Sequence, residues 1–448
     1  MRRCRRNSFA RNRSAAYGWS RAIRYHGFDG AGGKFFCHFI LFRRLTGLRA
    51  EAPPDAGANK DLKGMSFKVA GRGRIPPFIV MDVMRAAHER AAEGHDVLHL
   101  EVGQPSTGAP AAALEAATRA MGRDPLGYTL AFGIDALRDR IAGHYRRSYG
   151  AVVDRANVVV TTGSSGAFVL AFLAAFEAGD RVGLACPGYP AYRNILSALG
   201  VEPVLLPVGP ATRFQPTVPV LEAAVASGGP LDGLIIASPS NPTGSMMSPA
   251  DLTEVVDWCR DREVRLVSDE IYHGLTYGME AATAAGRGGA IVINSFSKYF
   301  SMTGWRLGWM VVPDDLLRSV ECLAQNLFIS PPSVSQYAAV AVFDCLEELD
   351  ANVARYRRNR EVLLDGLPGA GFDRLAPADG AFYLYADVSR WTDDSLSFCR
   401  RILEETGIAC TPGVDFDPLD GHHFLRLSFA GSTADMEEAV RRLKAWRK

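Results

Sequence analysis

Residues 290–309 read AIVINSFSKYFSMTGWRLGW, an apolar, largely β-branched run that breaks into serines, a lysine and an arginine before turning apolar again. A run this short, bounded by polar punctuation, reads as a strand buried on both faces rather than as a helix. The same rhythm recurs outward from it. NVVVT (157–161), RVGLA (181–185), VEPVLL (201–206), LIIAS (234–238), VRLVS (264–268) and LGWMVV (307–312) bring the set to seven. Most are separated by helix-like stretches such as FVLAFLAAFEAG (168–179) and PADLTEVVDWCRDR (249–262). This alternation predicts an α/β fold built on a mostly parallel seven-stranded sheet with helices on both faces.

Beyond Pro313 the texture changes. A long helical stretch leads to two alternating strands, AFYLYADVS (381–389) and HFLRLSFA (423–430), and TADMEEAVRRLKAW (433–446) reads as an amphipathic closing helix. Near the other end, IPPFIVMDVMRAAHERAAEG (75–94) reads as a Pro-restricted extended entry followed by an amphipathic helix that stops at Gly94. The expected organisation is a large α/β domain over 106–312 and a smaller α+β domain assembled from 65–105 and 313–448. Residues 1–64 stand outside it.

That extension holds eleven arginines against one acid, Asp29, within residues 1–50, and has no helical or strand periodicity. Three readings are open: a transit-type presequence, a secretory signal using FFCHFILF (35–42), or sequence upstream of a true start at Met65. The third is adopted here, because some thirty residues precede the apolar run and a secretory signal begins with a short basic region. The full chain of 448 residues carries a formal net charge of +1, with 48% apolar and 22% charged residues. Such a balance gives no global attraction to nucleic acid or lipid, so small molecules are the expected partners. No apolar run approaches the ~18 residues of a membrane span. Eight scattered cysteines without a CxxC pair suggest reduced thiols in a cytoplasmic protein, with neither a disulfide framework nor a metal site expected.

The chemistry follows the strands. VVVTT is followed by GSSGAF, LIIA by SPSNPTG, RLVS by DEIY and IVIN by SFSKYFSMTGWR. Ligands of open α/β sheets bind at the carboxyl ends of the strands, so these segments converge on one crevice. Lys298 standing alone would read as a solvated surface amine, but Ser295, Ser297 and Arg306 flank it. Hydroxyls and a guanidinium fork suit a phosphate dianion. An amine held beside such an anion site is placed to form a Schiff base with a phosphate-anchored aldehyde. Asp269 reads either as a helix N-cap or as a carboxylate entering the crevice, and Tyr272 follows three residues later. Asn241, forced extended by Pro242, is part of a turn that would otherwise be unremarked. Ser164 and Ser165 open a helix and would offer their amides to a phosphate, while Tyr189, in the rigid CPGYP loop, reads as core or as a ring that stacks on a flat ligand.

Joined in this order over roughly residues 70–445, these segments resemble the class I and II aminotransferases, the type I fold of pyridoxal phosphate enzymes. The resemblance implies pyridoxal 5'-phosphate as cofactor, with Lys298 as its Schiff-base lysine and proton shuttle and Asp269 facing the pyridine nitrogen. Asn241 and Tyr272 would hydrogen-bond the ring hydroxyl and Tyr189 would stack on the ring. Ser164, Ser165, Ser295, Ser297 and Arg306 would hold the phosphate, together with Tyr128 from the partner of a homodimer. Arg426 resembles the arginine that grips the substrate α-carboxylate, and Gly103 the backbone contact to the same group. The implied reaction is ping-pong transfer of the amino group of an L-amino acid to a 2-oxo acid. The loop CTPGVDFDP (410–418) keeps Pro412 and Gly413 but departs from the family after them, and no second arginine marks a dicarboxylate pocket. Ile75, Phe78 and Tyr192 are expected as apolar or aromatic wall near the entrance, favouring neutral or aromatic donors. A C–S lyase on the same scaffold is the alternative chemistry. A DNA-binding regulator with an aminotransferase-like domain is disfavoured, because residues 1–50 offer no amphipathic helices for a helix-turn-helix.

Overall fold

The computed structural model describes residues 67–446, and the readings made for residues 1–64 lie outside them. In chain order the regular elements are α1 (Ile79–Ala92), β1 (Leu98–His99), α2 (Ala111–Arg123), α3 (Asp135–Tyr149), β2 (Val158–Thr161), α4 (Gly163–Ala175), β3 (Arg181–Cys186) and α5 (Pro190–Leu199). They continue with β4 (Glu202–Pro207), α6 (Val218–Gly228), β5 (Gly233–Ala237), α7 (Pro249–Asp261), β6 (Arg265–Asp269), β7 (Ile291–Ser295), β8 (Gly308–Val311), α8 (Asp314–Leu327) and α9 (Ser333–Val342). The last are α10 (Leu346–Gly366), β9 (Tyr383–Asp387), α11 (Ser395–Thr406), β10 (Ile408–Ala409), β11 (Thr411–Pro412), β12 (Phe424–Ser428) and α12 (Thr433–Trp446).

The seven apolar runs form one sheet in the order β2-β8-β7-β6-β5-β3-β4. Its pairs are parallel except at β8, which runs antiparallel to both β7 and β2. The strands read as continuous apolar runs because both faces are covered. Val158, Val160, Leu234, Ile236 and Val292 belong to one core, and Val159, Ile235, Val267, Ile291 and Ile293 to the core on the opposite face. The period of two along each strand assigns neighbouring residues to different cores. Trp309, on β8, is fully buried and donates its indole N–H to the Tyr145 hydroxyl at 3.1 Å, so the sheet is fastened to α3 by a polar contact as well as by packing.

A third core gathers Leu98 and Leu100 with Phe382, Leu384, Leu425, Leu427, Phe429 and the inner faces of α10, α11 and α12. There β9, β12 and β11 form an antiparallel sheet, and β1 pairs in parallel with β10, tying the segment after α1 to the C-terminal elements. The entry helix ends as its composition requires: Gly94 adopts φ 92°, a left-handed conformation that costs glycine little. Among the described residues, no helix is long and apolar enough to cross a membrane.

Candidate active site

The carboxyl ends of β2, β3, β5, β6 and β7 open into one cavity of about 290 Å³, closed on the far side by Gly103, Tyr383 and Arg426. Its anionic end is built from two segments. Ser164 and Ser165 occupy the first turn of α4, where amides lack partners within the helix and the helix dipole is positive. Arg306 reaches the same point with its backbone at φ 51°, its Nη1 donating to the Thr303 carbonyl at 3.1 Å. A Cβ at Gly163 would lie 2.7 Å from Arg306 Nη2, and one at Gly308 would lie 2.8 Å from the Ser164 amide. Both glycines are therefore needed to bring the guanidinium and the helix N-terminus together. Ser297 lines the cavity, whereas Ser295 does not. The Ser295 hydroxyl is buried behind it, within hydrogen-bond distance of Ser297 Oγ (2.9 Å) and the Leu307 carbonyl (3.2 Å), so it acts through Ser297.

Asp269 ends β6 and is buried at the cavity floor. The segment after it is a turn, not a helix, so the carboxylate caps no helix; it accepts the Ile271 amide at 3.0 Å and the Tyr192 hydroxyl. Burial raises its pKa to about 6, against the opposing pull of Tyr192, the Ile271 amide and the Lys298 charge. Lys298 follows β7 and donates Nζ to the Gly103 carbonyl at 2.5 Å. Burial lowers its pKa to about 8; the Arg426 and Arg306 charges push the same way and Asp269 opposes them. The pKa is thus brought close to physiological pH, which raises the neutral fraction that a nucleophilic lysine requires.

Arg426, on β12, is buried with its guanidinium 4.4 Å from the Tyr383 ring centre and 4.7 Å from that of Phe416. Its Nη1 donates to Asn241 Oδ1 at 2.9 Å and its Nη2 to the Glu101 carbonyl at 2.6 Å, while Nε is buried without a partner. With Nη2 also donating to Thr411 Oγ1 at 3.3 Å, three of the five N–H donors are engaged and two, Nε among them, are left for a carboxylate. Gly103 must be glycine, since a Cβ would collide with the Tyr383 hydroxyl. That hydroxyl lies 2.7 Å from the Tyr272 hydroxyl.

Lys298, Asp269, Tyr272, Tyr189, Asn241, Ser164, Ser165, Ser297, Arg306, Gly103 and Arg426 therefore share one cavity. Tyr128 does not: it is 84% exposed and outside it. Two wall residues differ from expectation. Ile75 does not line the cavity, and Tyr192 lies deep beside Asp269 rather than at the entrance, because it stands in the first turn of α5, with its hydroxyl on the Asp269 carboxylate. The sequence reading missed Tyr383, Thr303, Val80 and Met81. The alternation of AFYLYADVS marks Tyr383 and Tyr385 as one face, but only the β9–β12 register shows that this face carries Arg426. Among the described residues, one group of potential metal donors occurs, Asp420, His422 and His423, outside this cavity.

The donor set suits a phosphate-bearing aromatic aldehyde: a guanidinium with helix amides and hydroxyls at one end, a buried carboxylate at mid-depth, an amine of lowered pKa between them, and the Tyr189 ring alongside. The comparisons agree with that fit. Residues 95–443 match the family of class I and II aminotransferases. A valine–pyruvate aminotransferase of Mycobacterium tuberculosis is 53% identical over 387 residues, 85% of this chain and 99% of its own length. The crystal structure of an aminotransferase from Mycobacterium tuberculosis superposes with a TM-score of 0.83 at 53% identity, covering 85% of this chain and 99% of the other. Aspartate aminotransferase of Thermus thermophilus with maleate gives a TM-score of 0.78 at 28% identity, covering 85% and 100%. The chain belongs to the class I and II aminotransferases and is a pyridoxal-phosphate-dependent transaminase that transfers an amino group to a 2-oxo acid.

Proposed function

We propose that the amino donor is a neutral, branched aliphatic L-amino acid and the acceptor a small 2-oxo acid such as pyruvate. One observation carries this reading: the wall supplied by Phe78, Val80 and Met81 is uncharged and apolar. Among the described residues that line the cavity, the cations are Lys298, Arg306 and Arg426, each already committed to another task. A side-chain carboxylate would be desolvated there without a partner, at a cost of several kcal/mol. The valine–pyruvate activity in the name of the 53% identical relative supports the same reading.

Bound pyridoxal phosphate supplies an electron sink for negative charge developing at the donor α-carbon. In the proposed assignment Ser164, Ser165, Ser297 and Arg306 hold its phosphate, with Ser295 behind Ser297. Asp269 keeps the pyridine nitrogen protonated, and burial suits it to the task, since an unpaired carboxylate there gains strongly from a cationic neighbour. Asn241 and Tyr272 hydrogen-bond the ring hydroxyl and Tyr189 stacks on the ring. Lys298 would hold the cofactor through its amine, and with the donor amine in its place its Nζ would be free to accept the α-proton and to give it back. One amine thus serves in turn as nucleophile and as general acid and base. Arg426 and the Gly103 backbone orient the α-carboxylate, which sets the α-proton toward Nζ.

The assembly we propose is a homodimer in the cytoplasm, with Tyr128 of a second copy completing each phosphate site. Tyr128, Leu130, Leu327 and Ile329 are large, exposed hydrophobic residues in two segments joined by a 2.6 Å bond from Ser333 Oγ to the Gly127 carbonyl. A surface of that kind favours association. Among the described residues the cysteines are free thiols, which suits a reducing compartment. The test of substrate class is a set of specificity constants for valine, alanine, phenylalanine and aspartate with pyruvate as acceptor. Valine should exceed aspartate by about 100-fold. A preference for aspartate would overturn the donor assignment.

A further inference from the structure

The CTPGVDFDP loop holds two buried carboxylates, Asp415 and Asp417, that the assignments above do not use. Asp417 is satisfied locally by the Cys186 thiol and by the amides of Leu419 and Asp420. Asp415 is turned across the molecule. Its Oδ1 accepts the Ile79 amide at 3.1 Å and its Oδ2 the Val80 amide at 3.2 Å. These are the first two residues of α1, whose opening amides have no partner within the helix. Ordinarily the residue before the helix caps them, but Phe78 stands there and its side chain cannot. The cap is supplied instead from more than 300 residues away, as a carboxylate against the positive helix end.

The same turn carries Phe78, Val80 and Met81, the apolar side of the cavity, and the Phe78 ring lies 5.8 Å from that of Tyr189. The loop is fixed in turn by Arg193, whose Nη2 donates to the Asp415 carbonyl at 2.6 Å and Nη1 to the Phe416 carbonyl at 3.3 Å. Phe416 presents its ring to Arg426. One loop thus touches the carboxylate anchor through Phe416 and the apolar wall through Asp415. Both Asp415 oxygens are engaged by amides and Asp415 does not line the cavity, so it is not a direct substrate partner.

We propose that Asp415 is a positioning residue for donor selectivity: by pinning the first turn of α1 to the loop beneath Arg426, it fixes the spacing between arginine and apolar wall, and so the donor side chain that fits between them. This rests on the reading of Phe78, Val80 and Met81 as the side-chain wall. The experiment uses the holoenzyme with Asp415→Ala and Asp415→Asn, valine and alanine as donors, and hydrogen exchange of the peptide spanning residues 75–85. In Asp415→Ala, KM for valine should rise about tenfold with kcat within about twofold, alanine should change little, and the valine-to-alanine ratio of kcat/KM should fall about tenfold. Exchange in residues 75–85 should speed up. Asp415→Asn is isosteric and keeps one acceptor for two amides, so its ratio should fall about threefold, and it carries the test if the alanine variant does not fold. A variant with wild-type ratio and wild-type exchange would overturn the proposal. A tenfold loss shared equally by both donors would also overturn it, since that marks a general structural defect. If the wild-type enzyme itself does not favour valine over aspartate, the donor reading fails, while the exchange measurement still decides whether Asp415 holds α1.

Discussion

Replacing Asp269 by asparagine should stabilise the enzyme stripped of its cofactor while disabling it. The carboxylate is only 3% exposed, and its pKa stands at about 6 against an ordinary 3.8. A raised folded-state pKa means that the native state binds the proton more tightly than the unfolded chain. The stabilisation this provides is complete below pH 3.8 and is lost as pH rises through about 6. Two units correspond to about 3 kcal/mol, so at pH 7.5 the ionised carboxylate is a burden of that order on the apoenzyme. Asparagine removes the burden, in which the attraction to Lys298 is already contained, but brings an Nδ2 that needs an acceptor, costing about 1 kcal/mol. The net expectation is a gain of about 2 kcal/mol at pH 7.5 that turns into a deficit of about 1 kcal/mol below pH 4. Urea unfolding of both apoenzymes at equal protein concentration, from pH 4 to 8, measures it. In the holoenzyme the gain should disappear and kcat/KM should fall by about 100-fold or more. A variant apoenzyme less stable than wild type at every pH would refute the reasoning, because the carboxylate would then be an ordinary structural anchor.

Arg426→Lys should weaken every donor by about 2–5 kcal/mol in kcat/KM, since an ammonium reproduces neither the fork nor the stacking between Tyr383 and Phe416, with visible cofactor absorbance retained; a loss confined to one donor would contradict its role as α-carboxylate anchor. Sedimentation should show a dimer, and Tyr128→Phe should weaken cofactor retention; full activity in a monomeric species would contradict the shared site. A chain starting at Met65 should fold and turn over as the full chain does, and loss of soluble protein on that truncation would contradict the reading of residues 1–64 as dispensable.

The seven sheet strands were legible because a parallel sheet covered on both faces leaves apolar runs such as AIVINS without polar interruption, and the polar segments that follow them mark the crevice. Lys298 and Asp269 were legible for the same reason, since they sit where β7 and β6 end, and Arg306 lies in the polar segment between β7 and β8. What sequence could not deliver depends on register and long-range closure. Tyr383 joins the cavity only because β9 pairs with β12, and Val80 and Met81 only because α1 packs back over residues more than 300 positions away. Tyr192 reads as wall from its position near Tyr189, yet α5 turns its hydroxyl onto Asp269. Asp269 taken alone reads first as a helix cap, because the choice turns on whether the next residues form a helix, and they form a turn. Asp415 had no local signal, since the helix it caps is at the other end of the chain.

Whether Lys298 carries the cofactor is decided by borohydride reduction of the holoenzyme. Reduction fixes the amine-bound cofactor as a stable secondary amine, and mass spectrometry of the digested protein then locates it. The pyridoxyl phosphate mass should appear on the peptide containing Lys298, with one label per chain and none in Lys298→Ala. A label on another lysine, such as Lys68 or Lys444, or undiminished labelling of the alanine variant, would contradict the assignment to Lys298.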